Sequence, residues 1–299
     1  MWLLFAFLSA FLLGIYEISK KASLNDNAVI PVLFLNTMFS SLIFLPFVIV
    51  SLFYPSLLEG TLFFVPVVSW TTHKYILIKS FIVLSSWISA YFATKHLPLT
   101  IVGPVKATQP VMVLIGALLI FGERLNLFQW VGVLFSILSF YLLSVAGKKE
   151  GINFKRDKWI LFLVVSVVFG ALSGLYDKFL MGKFDVMTVQ VWYNFYQCVI
   201  MLFVLLILWY PYRKRSTPFQ WRWSIIFISV FLSLADFVYF YALTFPDSLI
   251  SVVSMVRRSS VVVTFIAGAL LYKEKNLKTK AFDLLLVLLG MFFLYLGSK

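Results

Sequence analysis

Cysteine and histidine are almost missing from this chain, which has one Cys, Cys198, and two His, His73 and His96, among 299 residues. A single cysteine inside an apolar run excludes a disulfide framework and a thiolate metal cluster. The two histidines sit at span ends, too far apart in sequence to suggest a metal site. Charge is scarce too, at 12% of residues, roughly half the share of a soluble globular domain. Acids are the rarest, 12 against 25 Lys and Arg. There is no nucleophile motif, glycine-rich phosphate loop or paired-carboxylate signature, so neither an enzyme nor a cofactor is expected.

What fills the chain is apolar: 62% of residues are hydrophobic and the mean hydropathy is +0.99. A spanning helix needs about 20 apolar residues, and ten such runs can be read: Trp2 to Lys20, Ile30 to Phe53, Tyr75 to Thr94, Thr100 to Phe121, Leu127 to Ala146, Lys158 to Met181, Val186 to Trp209, Trp221 to Leu243, Ser248 to Leu271 and Leu277 to Leu296. The expected fold class is an all-α membrane protein of ten transmembrane helices. The first run lacks a basic n-region and a small-residue cleavage site, so it reads as a retained span. Pro55 to Lys74 holds a run, Leu62 to Trp70, too short to span, and reads as an interfacial segment or a loop folded over the helices. The formal charge of +13 belongs to loops facing the cytoplasm rather than to a nucleic-acid surface.

The polar stretch Gly147 to Lys158 divides the chain almost in half, and the halves repeat. Gly14-Ile15-Tyr16-Glu17 matches Gly174-Leu175-Tyr176-Asp177 at an offset of 160, and Asn36 has a counterpart in Asn194. Phe121-Gly122-Glu123-Arg124 matches Tyr272-Lys273-Glu274-Lys275 at an offset of 151, the drift being absorbed by the long connection after the second span. The expected units are residues 1–147 and 158–299. Five spans per unit is an odd number, so the second unit crosses in the opposite sense. In carriers built this way the substrate site lies near the midplane between the halves.

Of the 25 basic residues most belong to loops or span ends, Lys20, Lys79 and Lys280 among them, and three do not: Lys106 in the fourth span, Arg257 and Arg258 near the centre of the ninth. A central Arg or Lys costs about 2.5–3.5 kcal/mol even on the lenient insertion scale, and such residues face a cavity or a partner. The 151-residue offset sets Lys106 opposite Arg257, so the two halves offer cations at matching depth to an anion, Arg as a planar fork and Lys as a point charge. Asp236 in the eighth span is the alternative partner of an arginine. Gly103-Pro104 and Pro110 interrupt the fourth span, and Gln109 stands one turn from Lys106. The candidate binding set is Lys106, Arg257, Arg258, Gln109, Tyr16, Tyr176 and Asn194. Glu17, Asp177 and Asp236 are the coupling or ion-pair candidates. The bland reading of Glu17 is a local pair with Lys20 and Lys21.

Gly122-Glu123-Arg124-Leu125 before the Gly132-containing fifth span, echoed by Lys273-Glu274-Lys275 before the Gly290-containing tenth, resembles the drug/metabolite transporter superfamily, and within it the ten-helix EamA-type carriers. The resemblance implies two inverted five-helix bundles around a central cavity and the movement of small metabolites by alternating access. The lone basic residue of the fourth span and the adjacent pair of the ninth are similar to the plastid sugar-phosphate/phosphate translocators, which implies an anionic, phosphorylated substrate. An exporter of amino acids or aromatic compounds and a lipid-phosphate flippase are the alternatives. The expected setting is a bacterial inner membrane, the expected partners are a small anion and the bilayer, and the expected unit is a monomer. The connections after odd-numbered spans and the flanking ends hold 16 Lys and Arg against 6 on the other side, which puts both termini outside; the resemblance implies termini inside.

Overall fold

The structure, a computed structural model, describes residues 2–109, 111–112, 126–148, 152, 154, 156–181, 183–243, 245, 256–272, 274 and 277–297. In lipid a backbone must satisfy its own hydrogen bonds, which an apolar run does by coiling into a helix. The long elements are α1 (Trp2–Leu24), α2 (Val29–Phe53), α4 (Trp70–His96), α5 (Leu99–Ala107), α6 (Leu127–Lys148), α7 (Lys158–Met181), α8 (Val186–Val204), α9 (Ser224–Leu243), α10 (Ser260–Leu270) and α11 (Leu277–Gly297), with a single turn, α3 (Pro55–Leu58), after α2. A π-helical turn, Leu205–Trp209, continues α8. Among the described residues seven helices are long and apolar enough to cross a membrane: α1, α2, α4, α7, α8 with its π turn, α9 and α11. The outer half of the expected fourth span and the first third of the ninth lie outside the described residues, as do Pro110, Ser251 and Ser254.

Local chemistry explains several boundaries. Asp185 caps α8, its carboxylate accepting from the Thr188 N–H at 3.1 Å. Between α1 and α2 the chain turns through Asp26 at φ 46°, a left-handed conformation that Asp tolerates better than most residues. After α3 the chain runs back without regular structure over the bundle. Phe63 stacks on Phe47 and Phe237 at 5.2 and 5.3 Å, and Val65 is buried, its N–H donating to Ser51 Oγ at 3.0 Å. This is the loop folded over the helices.

The helices associate in a definite scheme: α1 with α9, α4 with α7, α2 with α8, α5 with α10, and α6 with α11. Interchanging the halves, so that α1, α2, α4, α5 and α6 become α7, α8, α9, α10 and α11, leaves this scheme unchanged. The halves are thus related by a pseudo-twofold axis. Their senses follow from side-chain contacts. Lys21 at the end of α1 reaches carbonyls at the end of α4, so those two helices run parallel. Tyr176 near the end of α7 bonds the Tyr75 carbonyl near the start of α4, so α7 runs against both. The repeat is inverted.

Outward faces carry Leu4, Phe7 and Phe11 of α1 and Leu134 and Ile137 of α6, all exposed, as a lipid-facing surface requires. Three lysines correct the sequence reading. Lys20, Lys79 and Lys280, assigned there to loops and span ends, are 0%, 3% and 0% exposed. Lys20 and Lys280 stand a few residues inside a helix end, and Lys79 stands nine residues inside α4 because that helix begins at Trp70, ahead of the expected Tyr75.

Candidate functional site

Among the described residues two groups of ion-paired buried charges stand in the bundle, apart from the buried Lys280 and Asp283 of α11. The first lies toward the end where α1 finishes and α5 begins. Glu17 Oε1 accepts from Lys106 Nζ at 2.7 Å, and its Oε2 lies 2.5 Å from Lys20 Nζ, a charge contact without hydrogen-bond alignment. Lys20 also sits over the rings of Tyr16 and Tyr91, at 4.6 and 5.3 Å. Lys21, expected to share Glu17, turns away and donates to the carbonyls of Thr94 and Leu97 at 2.8 and 2.7 Å. Helical spacing explains this, because consecutive residues diverge by about 100° around a helix. A local pair was expected for Glu17, and the structure adds a partner 89 residues away.

The second group lies toward the opposite end, where α4 begins and α7 finishes. Lys79 of α4 pairs with Asp177 of α7, and Arg257 pairs with Asp236 of α9. Tyr193 of α8 joins them, its hydroxyl donating to Asp236 Oδ2 at 3.1 Å and its ring lying 5.0 Å from Lys79 Nζ. Arg257 stacks on Tyr239 at 4.3 Å, and its buried Nε–H has no acceptor among the described residues. Lys79 had been read as a flanking charge. The signal available in the sequence was its place four residues inside the expected third span.

Arg258 differs from the other membrane-depth cations. It stands 13 residues before Leu271, about 20 Å along a helix axis. It makes no ion pair or hydrogen bond with any described residue. It is partly buried, and the acid nearest its neighbour, Asp236 of α9, is taken by Arg257.

The remaining candidates are placed as follows. Gln109 lies against Gly170 of α7, so closely that a Cβ there would meet its Oε1 at 2.9 Å. Tyr16 is in the core beside Lys20. The Tyr176 hydroxyl donates to the Tyr75 carbonyl at 3.2 Å. Asn194 donates to the Gln190 carbonyl at 2.8 Å, while its own carbonyl accepts from Ser41 at 3.0 Å. A feature the sequence reading passed over is a seam of buried amides. Asn36, Gln190 and Gln197 are each 0% exposed, with both polar side-chain atoms unpaired among the described residues.

The ends of α4 and α5 are clamped from both halves. Glu274 accepts from the N–H groups of Leu99 and Thr100 at 2.7 and 2.9 Å and from the Thr100 hydroxyl. Lys21 meanwhile covers the last carbonyls of α4, each charge lying at the helix terminus of opposite polarity.

Paired charges beside an arginine that has no partner among the described residues can hold an anion and disfavour a second cation. The model of the EamA-like transporter family matches residues 1–145 and 157–296. No curated protein sequence matches the chain. Among solved structures, one described as a crystal structure of a protein shares 12% identity over 98% of this chain and 97% of its own, with a TM-score of 0.65. That likeness concerns the fold.

Proposed function

The chain belongs to the EamA-like transporter family, and from that premise we propose that it is a secondary carrier for a small organic anion, working by alternating access in a bacterial inner membrane. The observation that carries the reading is Arg258, a cation at membrane depth with no partner among the described residues. Such a group costs several kcal/mol unless something neutralises it, and an anionic substrate entering between the halves does so. Lys106 and Arg257, proposed from sequence as equal contacts, have their charges taken by Glu17 and Asp236 in this conformation. They shape the field of the site, while Arg258 supplies the fork that binds a carboxylate or a phosphate.

The test is a thermal-shift screen of the purified protein against phosphorylated and carboxylated metabolites, repeated with Arg258→Gln. Stabilisation by an anion that disappears in the variant supports the reading. Equal stabilisation of both proteins refutes Arg258 as the anchor. The flippase alternative would need the anion to remain lipid-attached, so saturation by a water-soluble phosphorylated metabolite counts against it.

A further inference from the structure

The charged positions of the two repeats correspond, yet their pairings do not. At the repeat offsets Glu17 corresponds to Asp177 and Lys106 to Arg257. In the first repeat acid and base are joined at 2.7 Å. In the second, Asp177 is held by Lys79 and Arg257 by Asp236. The backbone packing is unequal in the same sense. A Cβ on Gly14 would lie 2.5 Å from Val263, whereas one on its counterpart Gly174 would meet no described atom within 4 Å. Met112, the counterpart of Val263, is 36% exposed.

We propose that Lys79, Asp177, Asp236 and Arg257 form an exchangeable set of ion pairs that the transport step rearranges: in the opposite-facing state Asp177 takes Arg257, and Asp236 takes Lys79. The inference rests on the alternating-access reading. Two inverted halves in the same conformation would present the same structure to both sides of the membrane. A state open to one side therefore needs halves that differ, and the opposite state follows when each adopts the conformation of the other. The Asp177 to Arg257 pair is then the second-repeat copy of the Glu17 to Lys106 pair, and Gly174 closes on Met112 as Gly14 does on Val263.

The exchange leaves no acid stranded, which matters because an uncompensated buried charge is far costlier than a paired one. Lys79 already lies 5.0 Å from the ring of Tyr193, whose hydroxyl holds Asp236, so it reaches its new partner along one side chain. Arg257 brings an Nε–H without an acceptor. Glu17 keeps Lys20 at 2.5 Å when Lys106 departs. The released Lys106, whose side chain is 21% exposed here, becomes a second cation for the anion. Two discrete arrangements of one network are what a bistable element requires.

Charge reversal separates this role from a structural one. Lys79→Asp combined with Asp177→Lys preserves the pair seen here but sets like charges together in the exchanged arrangement, base against Arg257 and acid against Asp236. Gly174→Leu is the second variant, since it has room here and obstructs the approach to Met112 without altering any charge. Nitroxide distances would be measured in nanodiscs, with and without inorganic phosphate, in a Cys198→Ser background. The label pairs are Thr61→Cys with Lys183→Cys at one end and Asp26→Cys with Lys214→Cys at the other, all at exposed positions. The expected result is two distances at each end in the parent and one in either variant, with at least a tenfold loss of transport. Both variants keeping both distances in the parental proportions would overturn the exchange while leaving the anion site untouched. A parent with one distance at each end, with or without phosphate, would overturn alternating access along with it.

Discussion

Glu17 and Lys106, 89 residues apart in the chain, meet at 2.7 Å between α1 and α5, and Lys20 holds the other oxygen of the same carboxylate. One acid thus serves two buried bases. Removing it strands both, and breaking a buried pair from one side costs about 3–5 kcal/mol. Glu17→Gln should therefore lower the thermal unfolding midpoint far more than Lys106→Met, which leaves Glu17 paired with Lys20. Equal losses in detergent-solubilised protein would show that Lys20 does not share the charge.

Asp236 answers to a different balance, because it accepts from both Arg257 and Tyr193. Asp236→Asn should destabilise by several kcal/mol, and adding Arg257→Gln should recover part of the loss because the stranded cation goes with it. Strictly additive losses in a double-mutant cycle would reject the pairing.

Gly14 of the first span lies close against Val263 of the ninth. An added Cβ would fall 2.5 Å from Val263 Cβ and 2.6 Å from its Cγ1, and overpacking of this kind costs about 1–3 kcal/mol. Gly14→Ala should lose stability, and Gly14→Ala with Val263→Gly, which takes away the valine Cβ as well as its methyls, should regain part of it, as read from thermal unfolding. A double variant no better than the single would mean that the backbone, not the valine side chain, sets the limit.

Orientation follows from the loops. Counting Lys20, Lys79 and Lys280 as buried takes two from the richer side and one from the poorer, so the imbalance persists and both termini are expected outside. A C-terminal fusion reads this directly. Active alkaline phosphatase supports it, and bright green fluorescence with inactive phosphatase contradicts it.

The span pattern was legible because apolar runs of helical length have few alternative explanations, and the repeat was legible from Gly14 to Glu17 against Gly174 to Asp177. Lys106 and Arg257 stood out for the same reason, being charged amid apolar residues. Their partners did not, since the contact of Lys106 with Glu17 depends on how α5 lies against α1, which helical periodicity within one segment does not encode. Lys79 was hidden by its nearness to a span end, where a snorkelling lysine and a buried one have the same sequence signature. The seam of Asn36, Gln190 and Gln197 was similarly silent, because an amide in a span is read as packing until its neighbours are known.

The clamp on the α4 to α5 elbow bears on how the chain is made. The Leu99 N–H finds its acceptor in Glu274, 175 residues further on. At about 5–20 residues per second of synthesis, that acceptor leaves the ribosome roughly 10–35 seconds after the helix end it must cap. The amino-terminal half consequently waits in the bilayer with an unfinished corner, and the first turn of α5 is capped only when the final hairpin arrives. A polypeptide interrupted before residue 274 would remain a substrate for membrane quality control, and the two halves produced as separate fragments would each need the other before either became fully resistant to proteolysis.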